Sequence, residues 1–452
     1  MANPVVLIHG WSDDSKAMEP LANYIHDDLG LKTQHINLAD YLSMDDSVTF
    51  DDINAAMDKA WTLSRNPKSV DVVVHSTGGL VIRNWLHEYF TKNKLPSPVH
   101  RLLMLAPANF GSPLAHKGTS MVGRVVKGWS SEKRFEVGEQ LLKGLELASP
   151  FSWYLGLEDL FGEGTIFHKE GVLCTVMVGN SGYKGIKAAA NEEGSDGTVR
   201  VSTANLNCAY LEVDLSKSDR PEFNLKLSNG QTAFLVLDGY NHATIKEAFG
   251  KKSADFKKAL TVTPTQFNSW CEQTQKRTNA ILKKYSNRDK YKHGYQNTVF
   301  HVHDQFSENH QYDQQAGDVE DYFIEFFNED GEAQWAEDLF YGRQIIRTTH
   351  PFSENSAYRA MLIDVTELYK KLAKLKRKSK LQVSLSAKPD IRSGNNQVGY
   401  DSFVEGSAIG AIALSEDEIK MTFVANRTLL VDIKLNREQS PEVFRLKTLT
   451  VT

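Results

Sequence analysis

Cysteine is scarce in this sequence. Its 452 residues include three cysteines, Cys174, Cys208 and Cys271, which are widely spaced and odd in number. A disulfide framework, or a zinc site built from cysteines, needs more of these residues at closer spacing. We therefore predict three buried thiols in a protein that folds in a reducing compartment.

Long apolar runs are also absent. No stretch of about 18 consecutive apolar residues occurs, so no segment is predicted to cross a bilayer as a helix. The first ten residues, MANPVVLIHG, lack a basic segment followed by a long apolar stretch, and we expect no secretory signal peptide. Any membrane contact is therefore expected to be peripheral.

The sequence has no excess of positive charge. It contains 52 lysines and arginines against 57 aspartates and glutamates, a formal net charge of -5. This balance gives no reason to expect nucleic-acid binding. The 41% hydrophobic and 24% charged content is typical of a soluble globular protein, and the length predicts two domains because one ordinary core rarely extends so far.

A strand, a tight turn and a helix are predicted around Ser76. A run of valines ends at His75, and the helix-compatible segment LVIRNWLHEYF begins four residues after Ser76. This is the local form of a nucleophile elbow, whose G-x-S-x-G motif keeps the neighbours of the serine small where strand and helix approach closely. Gly78 fits the second glycine position, whereas Val74 occupies the first. The motif therefore predicts a nucleophilic serine but is imperfect.

Apolar strands alternate with helical patterns through the first 285 residues. Runs such as PVVLIH, HRLLMLA, GVLCTVMV and AFLVL read as buried strands, and a helix beginning at Pro264 is expected to close this part of the chain. Such alternation predicts an α/β fold with a predominantly parallel sheet and helices on both faces. We assign this catalytic domain to residues 1–288.

Composition changes after about residue 290. Short runs rich in Thr, Val, Phe and Tyr, such as NTVFHVH and TLLVDIKL, are separated by turn residues. This pattern is typical of an antiparallel β-sandwich, here interrupted by one helical segment near Asp364 to Lys376. We therefore predict a C-terminal β-rich, sandwich-like domain over residues 289–452.

Two partners for the serine follow it in the chain. A serine hydroxyl needs a base to take its proton and an acid to orient that base, and α/β-hydrolases place them in the order serine, acid, histidine. Asp196 and His242 lie in this order beyond predicted strands. Asp238 also lies between Ser76 and His242 and is an alternative acid. Because the acid of this fold normally follows a strand other than the histidine's own, Asp196 is favoured.

Acyl transfer also requires hydrogen-bond donors for the developing oxyanion. The backbone N–H of Thr77, directly after the serine, is one candidate. The second donor should come from the loop after the first strand, where Trp11 follows Gly10. Glycine allows the close backbone approach that such a loop needs. The predicted oxyanion hole therefore consists of the Trp11 and Thr77 N–H groups.

A pair of histidines in the second domain has two interpretations. His301 and His303 would share one face of a strand, with Asp304 and His310 nearby, and could imitate a metal-binding cluster. Such a pair is more often an ordinary polar face. We therefore predict no metal here.

Two further segments can each be interpreted as a lipid-binding feature or as an ordinary structural one. The basic helix-compatible run from Leu368 to Lys380 could contact anionic lipid headgroups or form a solvated helix face. The irregular segment 113–165 could hold an acyl chain, as in lipases, or its aromatic residues could fill a core. These aromatic residues are Phe151, Trp153, Tyr154 and Phe161.

Several motifs resemble those of lipase-type α/β-hydrolases. The segments VVLIHGW, LAPANFGSPLA and GSDGTVRVSTA carry this resemblance over about residues 1–285. A closer likeness is to the PlaB-type phospholipases A of Gram-negative bacteria, which have a non-glycine residue ahead of an H-S-T-G-G elbow, a similar length and a β-rich C-terminal domain. Their first elbow residue is threonine, and Val74 keeps its β-branched shape. The acidic stretch from Tyr41 to Ile53 also resembles this family.

This resemblance implies a function. It places a catalytic triad on Ser76, Asp196 and His242 and implies hydrolysis of fatty acyl esters of phospholipids and lysophospholipids, without metal or cofactor. It also implies peripheral attachment to the bacterial membrane or envelope, of a protein that is otherwise cytoplasmic, and a homo-oligomer, either tetramer or dimer. Two alternatives are an esterase for neutral or short-chain acyl esters and a non-catalytic binding protein on a hydrolase fold.

Overall fold

A computed structural model describes most of the chain. The described residues are 3–9, 18–37, 47–63, 69–115, 138–215, 222–247, 249–304, 317–328, 345–373, 381–387 and 412–435.

Fifteen strands and ten α-helices are formed within these ranges. The strands are β1 Val5–His9, β2 Thr33–Asn37, β3 Val70–His75, β4 Val99–Leu105, β5 Leu173–Gly179, β6 Ala209–Asp214, β7 Glu222–Leu227, β8 Ala233–Leu237, β9 Tyr295–Asp304, β10 Tyr322–Asn328, β11 Ile346–Pro351, β12 Tyr358–Asp364, β13 Leu381–Ala387, β14 Ile412–Leu414 and β15 Thr428–Leu435. The helices are α1 Glu19–Asp27, α2 Phe50–Leu63, α3 Gly78–Leu86, α4 Glu139–Leu145, α5 Pro150–Gly156, α6 Val201–Ala204, α7 Phe249–Thr261, α8 Pro264–Tyr285, α9 Val365–Leu372 and α10 Glu416–Thr422.

The first sheet is parallel throughout. Its six strands lie in the order β2-β1-β3-β4-β5-β8, and every neighbouring pair runs in the same direction. Strands β3, β5 and β8 are buried along their whole length. Strands covered on both faces need apolar side chains at every position, which explains the uninterrupted apolar runs in the sequence. The predicted α/β fold class is confirmed.

Helices cover both faces of this sheet. Alternate residues of β3 belong to separate cores: Val72 and Val74 pack in one core with residues of α2 and α3, and Val73 packs in the other with residues of α1, α7 and α8. This division follows from the two-residue period of a strand. Helix α8 begins at Pro264, as predicted, since proline is favoured in the first turn of a helix.

The second sheet is mixed and also has six strands. Their order is β11-β12-β9-β15-β6-β7, with β15 parallel to both β9 and β6 and the other pairs antiparallel. A further antiparallel sheet contains β10, β13 and β14. A β-rich second part is therefore present, although its strand directions are more varied than those of the antiparallel sandwich expected from the sequence.

Strands β6 and β7 join this second sheet from residues 209–227, which lie inside the first predicted domain. The boundary between residues 288 and 289 remains a prediction. One face of the second sheet packs against the first sheet's core: Val299 of β9 and Leu430 of β15 belong to the same apolar core as Val72 and Trp85. The two sheets therefore share buried surface.

The predicted helix of the second part begins where expected. The Asp364 side chain accepts a hydrogen bond from the Glu367 backbone N–H and caps α9. The basic run continues beyond this helix, and its residues 374–380 lie outside the described residues. Among the described helices, none is long and apolar enough to cross a membrane.

Candidate active site

Ser76 lies at a sharp turn between β3 and α3. Its backbone has φ of +57°, in the left-handed region that L-residues other than glycine rarely adopt. The Ser76 N–H donates to the carbonyl oxygen of Leu105, and its carbonyl accepts from the Gly79 N–H at 3.0 Å. A serine held in this conformation between strand and helix has the geometry of a nucleophile elbow.

The two glycines at positions 78 and 79 lie where a larger residue would meet close neighbours. A Cβ atom on Gly78 would lie 3.2 Å from the Cβ atom of Val74, and one on Gly79 would lie 2.5 Å from the Cβ atom of Pro107. The valine at the first elbow position therefore fills the space against Gly78. A side chain at position 78 would therefore be tightly packed against Val74, so β3 and α3 approach closely at this point.

The structure brings the three predicted triad side chains together. The Nε2 atom of His242 lies 3.0 Å from Ser76 Oγ, and its Nδ1 atom lies 3.0 Å from Asp196 Oδ2. The His242 and Asp196 side chains are 9% and 0% exposed. In this arrangement an imidazole can take the serine proton while the carboxylate fixes the ring's tautomer and orientation.

The Asp196 carboxylate is fixed by its own loop. Its second oxygen, Oδ1, accepts hydrogen bonds from the backbone N–H groups of Thr198 and Val199 at 3.0 and 2.8 Å. The backbone N–H of His242 donates to the Asp196 carbonyl oxygen at 2.9 Å. These bonds leave Oδ2 directed at the imidazole, so the loop sets the orientation of the pair.

The alternative acid, Asp238, has other partners. Lys284 and Tyr285 donate to its Oδ2 atom, and Lys292 and Asn180 donate to its Oδ1 atom. Partial burial alone would raise the pKa of this carboxyl, but the hydrogen bonds from the two lysines hold its pKa well below the usual range. The geometry pairs His242 with Asp196 rather than Asp238. The catalytic roles of the three residues remain predictions.

The second sheet anchors the loop that carries Asp196. The guanidinium of Arg200, which is fully buried, donates to both carboxylate oxygens of Glu192 at 2.7 and 2.9 Å. It also donates to Asn297 Oδ1 of β9 and to Thr348 Oγ1 of β11, each at 2.9 Å. The planar guanidinium can serve these acceptors at once because its donors form a rigid fork. No sequence motif marks Arg200 for this role, because its acceptors Asn297 and Thr348 lie far along the chain.

Only part of the predicted oxyanion hole falls within the described residues. Thr77 directly precedes α3, so its N–H lies at the positive end of the helix dipole, where negative charge is stabilised. Trp11 and Gly10 lie outside the described residues. The assignment of Thr77 and Trp11 as oxyanion donors therefore remains a prediction.

The aromatic residues of the predicted acyl-binding segment pack mainly as core. Trp153 is 2% exposed and packs in the apolar core shared by the two sheets. Phe151 stacks on Phe50 with ring centroids 4.2 Å apart. Tyr154 is 48% exposed, and its hydroxyl lies 3.0 Å from that of Tyr358. These contacts favour the core interpretation for Phe151 and Trp153.

Comparison with known proteins supports this architecture. The palmitoyl protein thioesterase family model matches residues 4–132. No curated protein sequence matches the chain. Phospholipase PlaB from Legionella pneumophila is 23% identical with a TM-score of 0.79, covering 100% of this chain and 97% of that chain. The same phospholipase in complex with thio-NAD is 24% identical with a TM-score of 0.77 over the same shares.

These solved structures confirm the resemblance at the level of fold. The similarity extends over the whole chain, including the β-rich C-terminal part, and not only over the sheet that carries Ser76. The chain therefore has an α/β-hydrolase-like core followed by a second sheet arranged as in PlaB.

Proposed function

We propose that this chain is a serine esterase that releases fatty acids from phospholipids and lysophospholipids. The observation that carries the proposal is the continuous hydrogen-bonded array from Ser76 Oγ through His242 to Asp196. The fold shared with PlaB over the whole chain supports the lipid substrate class.

The reaction has two halves. In the first, His242 Nε2 takes the proton of Ser76 Oγ as the oxygen attacks the acyl carbonyl. The resulting oxyanion accepts a hydrogen bond from the Thr77 backbone N–H. The proton held by His242 passes to the departing glycerol oxygen, which leaves an acyl-serine. In the second half, His242 deprotonates a water molecule that attacks this ester, and the returned proton restores Ser76 as the fatty acid leaves.

A decisive experiment compares Ser76→Ala with a matched serine change, Ser253→Ala, at an exposed position on α7 that is not part of the triad. Fatty-acid release from phosphatidylcholine and lysophosphatidylcholine vesicles should fall by at least about 10³-fold in Ser76→Ala and stay unchanged in Ser253→Ala. Labelling by a fluorophosphonate should disappear with Ser76 alone. Full activity of a folded Ser76→Ala protein would refute the assignment.

A second candidate is hydrolysis of long-chain acyl thioesters. The match of residues 4–132 to the palmitoyl protein thioesterase family favours it, because the same triad can attack a thioester carbonyl. A panel of phospholipid, lysophospholipid, triacylglycerol, short-chain ester and palmitoyl thioester substrates separates these activities by kcat/KM.

We also propose peripheral contact with membranes and a homo-oligomeric state, either tetramer or dimer. Both rest on the likeness to PlaB-type phospholipases. Cosedimentation with anionic and zwitterionic vesicles tests the first, and light scattering coupled to size-exclusion chromatography tests the second. A monomer that stays in the supernatant with both vesicle types would contradict them.

A further inference from the structure

Two histidines and one aspartate converge on one face of the second sheet. His301 and His303 alternate along β9 and point to the same face, and Asp432 of β15 is the register partner of His301. We propose that these three residues form a binding site for Zn²⁺ or a chemically similar divalent first-row cation. Such a site would take the place of the ordinary polar face that the sequence predicts for this pair.

The three possible ligand atoms lie close to one another. His301 Nδ1 is 2.9 Å from Asp432 Oδ1, and His303 Nε2 is 3.3 Å from Asp432 Oδ2. One ligand atom from each residue lies within 4.8 Å of the other two. Zinc bonds of about 2.0–2.2 Å in a tetrahedron place neighbouring ligand atoms roughly 3.3 Å apart, and the two histidine rings, stacked with centroids 5.0 Å apart, would have to turn toward a shared ion.

A second carboxylate, that of Asp318, contacts the other side of the His301 ring. Its other ring nitrogen, Nε2, lies 3.0 Å from Asp318 Oδ1, and Asn355 Nδ2 donates to the remaining Asp318 oxygen. Histidines that bind metals almost always donate their second N–H to a carboxylate, a backbone carbonyl or water, which fixes the tautomer and directs the free nitrogen at the ion. Tyr358 stacks on the His301 ring at 4.1 Å and limits its rotation.

Burial distinguishes this group from an exposed polar face. The side chains of His301, His303 and Asp432 are 11%, 17% and 23% exposed. Without a cation, His301 would need protons on both ring nitrogens to donate to Asp318 and Asp432 together. With a cation at Nδ1, the neutral ring donates only to Asp318, and the ion balances Asp432. Nitrogen and oxygen donors in this number suit zinc, with water at a fourth position.

The acid beside the histidines in the sequence is not the acid beside them in the structure. Asp304 follows them directly in the chain, but the third donor is Asp432 of the neighbouring strand, and His310 lies outside the described residues. The proposed site is independent of the esterase mechanism, because its residues do not belong to the Ser76 triad.

The test uses the untagged full-length protein after chelator treatment and desalting. Isothermal titration with ZnCl₂ should give one tight equivalent, and CoCl₂ should give the visible absorption of four-coordinate cobalt. His303→Gln and Asp432→Asn keep hydrogen-bonding groups and should weaken affinity at least tenfold, whereas Asp318→Asn should weaken it about 10- to 100-fold. His168→Gln, a half-exposed histidine elsewhere, should leave it unchanged.

Equal zinc affinity in wild type and in folded His303→Gln would overturn the proposal and leave a hydrogen-bonded histidine–aspartate network. If the variants fail to fold, the wild-type cobalt spectrum decides, since six-coordinate surface cobalt absorbs only weakly. Fluorophosphonate labelling of Ser76 before and after chelation keeps the outcome separate from that of the proposed esterase. A failure of Ser76 to label would leave the zinc titration unchanged, and a failure to bind zinc would leave the labelling of Ser76 unchanged.

Discussion

His75 Nε2 lies 3.1 Å from the backbone carbonyl oxygen of His242, and the two imidazole rings are 4.6 Å apart. Because a carbonyl oxygen can only accept, the proton of this bond belongs to His75. The residue before the proposed nucleophile thus holds the backbone of the proposed base. This contact joins the elbow to the loop after β8.

His75→Phe should therefore reduce turnover without unfolding the protein. Phenylalanine keeps the ring packing but removes a hydrogen bond worth about 0.5–1.5 kcal/mol, so kcat on lysophospholipid should fall roughly two- to tenfold. His75→Gln, which can supply an amide N–H, should recover part of the loss. Unchanged kcat in a folded His75→Phe protein would contradict a positioning role.

The two candidate acids can be separated by matched changes. Asp196→Asn should lower kcat by about 10³- to 10⁴-fold, since the amide cannot hold the imidazole in the required tautomer and charge state. Asp238→Asn should leave kcat within about threefold, because Asp238 contacts lysines and Tyr285 rather than His242. Steady-state kinetics on one substrate suffices. Equal losses in the two variants would reopen the choice of acid.

Val74 and Gly78 should be energetically coupled. Gly78→Ala should lower the free energy of unfolding by about 1–3 kcal/mol, because the new Cβ atom meets Val74 at 3.2 Å. Val74→Gly removes that neighbour but weakens the buried strand. The double variant should be more stable than the sum of the single effects by at least about 0.5 kcal/mol in urea denaturation. Additive losses of unfolding free energy would show that Val74 and Gly78 are not coupled.

Low pH should abolish the contribution of Glu192 to the stability of the fold. Burial favours the neutral form of this carboxyl, but the Arg200 guanidinium outweighs it and holds the pKa well below the ordinary value of 4.5. The stabilisation is complete above that value and is lost as pH falls through the lowered pKa. Glu192→Gln should cost about 3–5 kcal/mol near neutral pH, because it leaves buried Arg200 unpaired.

The difference between wild type and Glu192→Gln should then shrink as pH falls below 4.5. Urea denaturation of both proteins across this range measures the difference directly. A difference in unfolding free energy that stays constant with pH would mean that the stabilisation by Glu192 does not depend on its charge. Glu170→Gln, at an exposed position, is the control for removing a carboxylate.

The three thiols should react very slowly with thiol reagents in the folded protein. Cys174, Cys208 and Cys271 are at most 6% exposed. Burial raises the pKa of Cys208 and of Cys271 to about 12 and raises that of Cys174 as well, so little thiolate forms at neutral pH. Ellman's reagent should titrate three thiols in urea and almost none in buffer. A fast-reacting native thiol would contradict this expectation.

Local patterns predicted the part of the fold that depends on neighbours in sequence. Valines 72–74 and the glycines after Ser76 indicated the elbow, because the strand, turn and helix each leave a short-range signal. The positions of Asp196 and His242 beyond separate strands indicated that the side chains would meet. The structure places them together.

Pairing across long distances could not be predicted in the same way. Strand β6 alternates like any half-buried strand, and nothing in its residues identifies β15 as its partner. Arg200 looked like an ordinary residue after a loop, because its acceptors Asn297 and Thr348 lie far along the chain. For the same reason Asp432 could not be matched to His301 from the sequence.

The pairing of β15 with β6 has a consequence for synthesis. Tyr210 and Asp432, which are hydrogen-bonded across these strands, lie 222 positions apart. A growing chain therefore exposes an open edge of β6 until most of the protein has been made, and closing so long a loop slows folding. A premature stop codon before residue 428 would delete a central strand of the sheet whose other members hold the Asp196 loop.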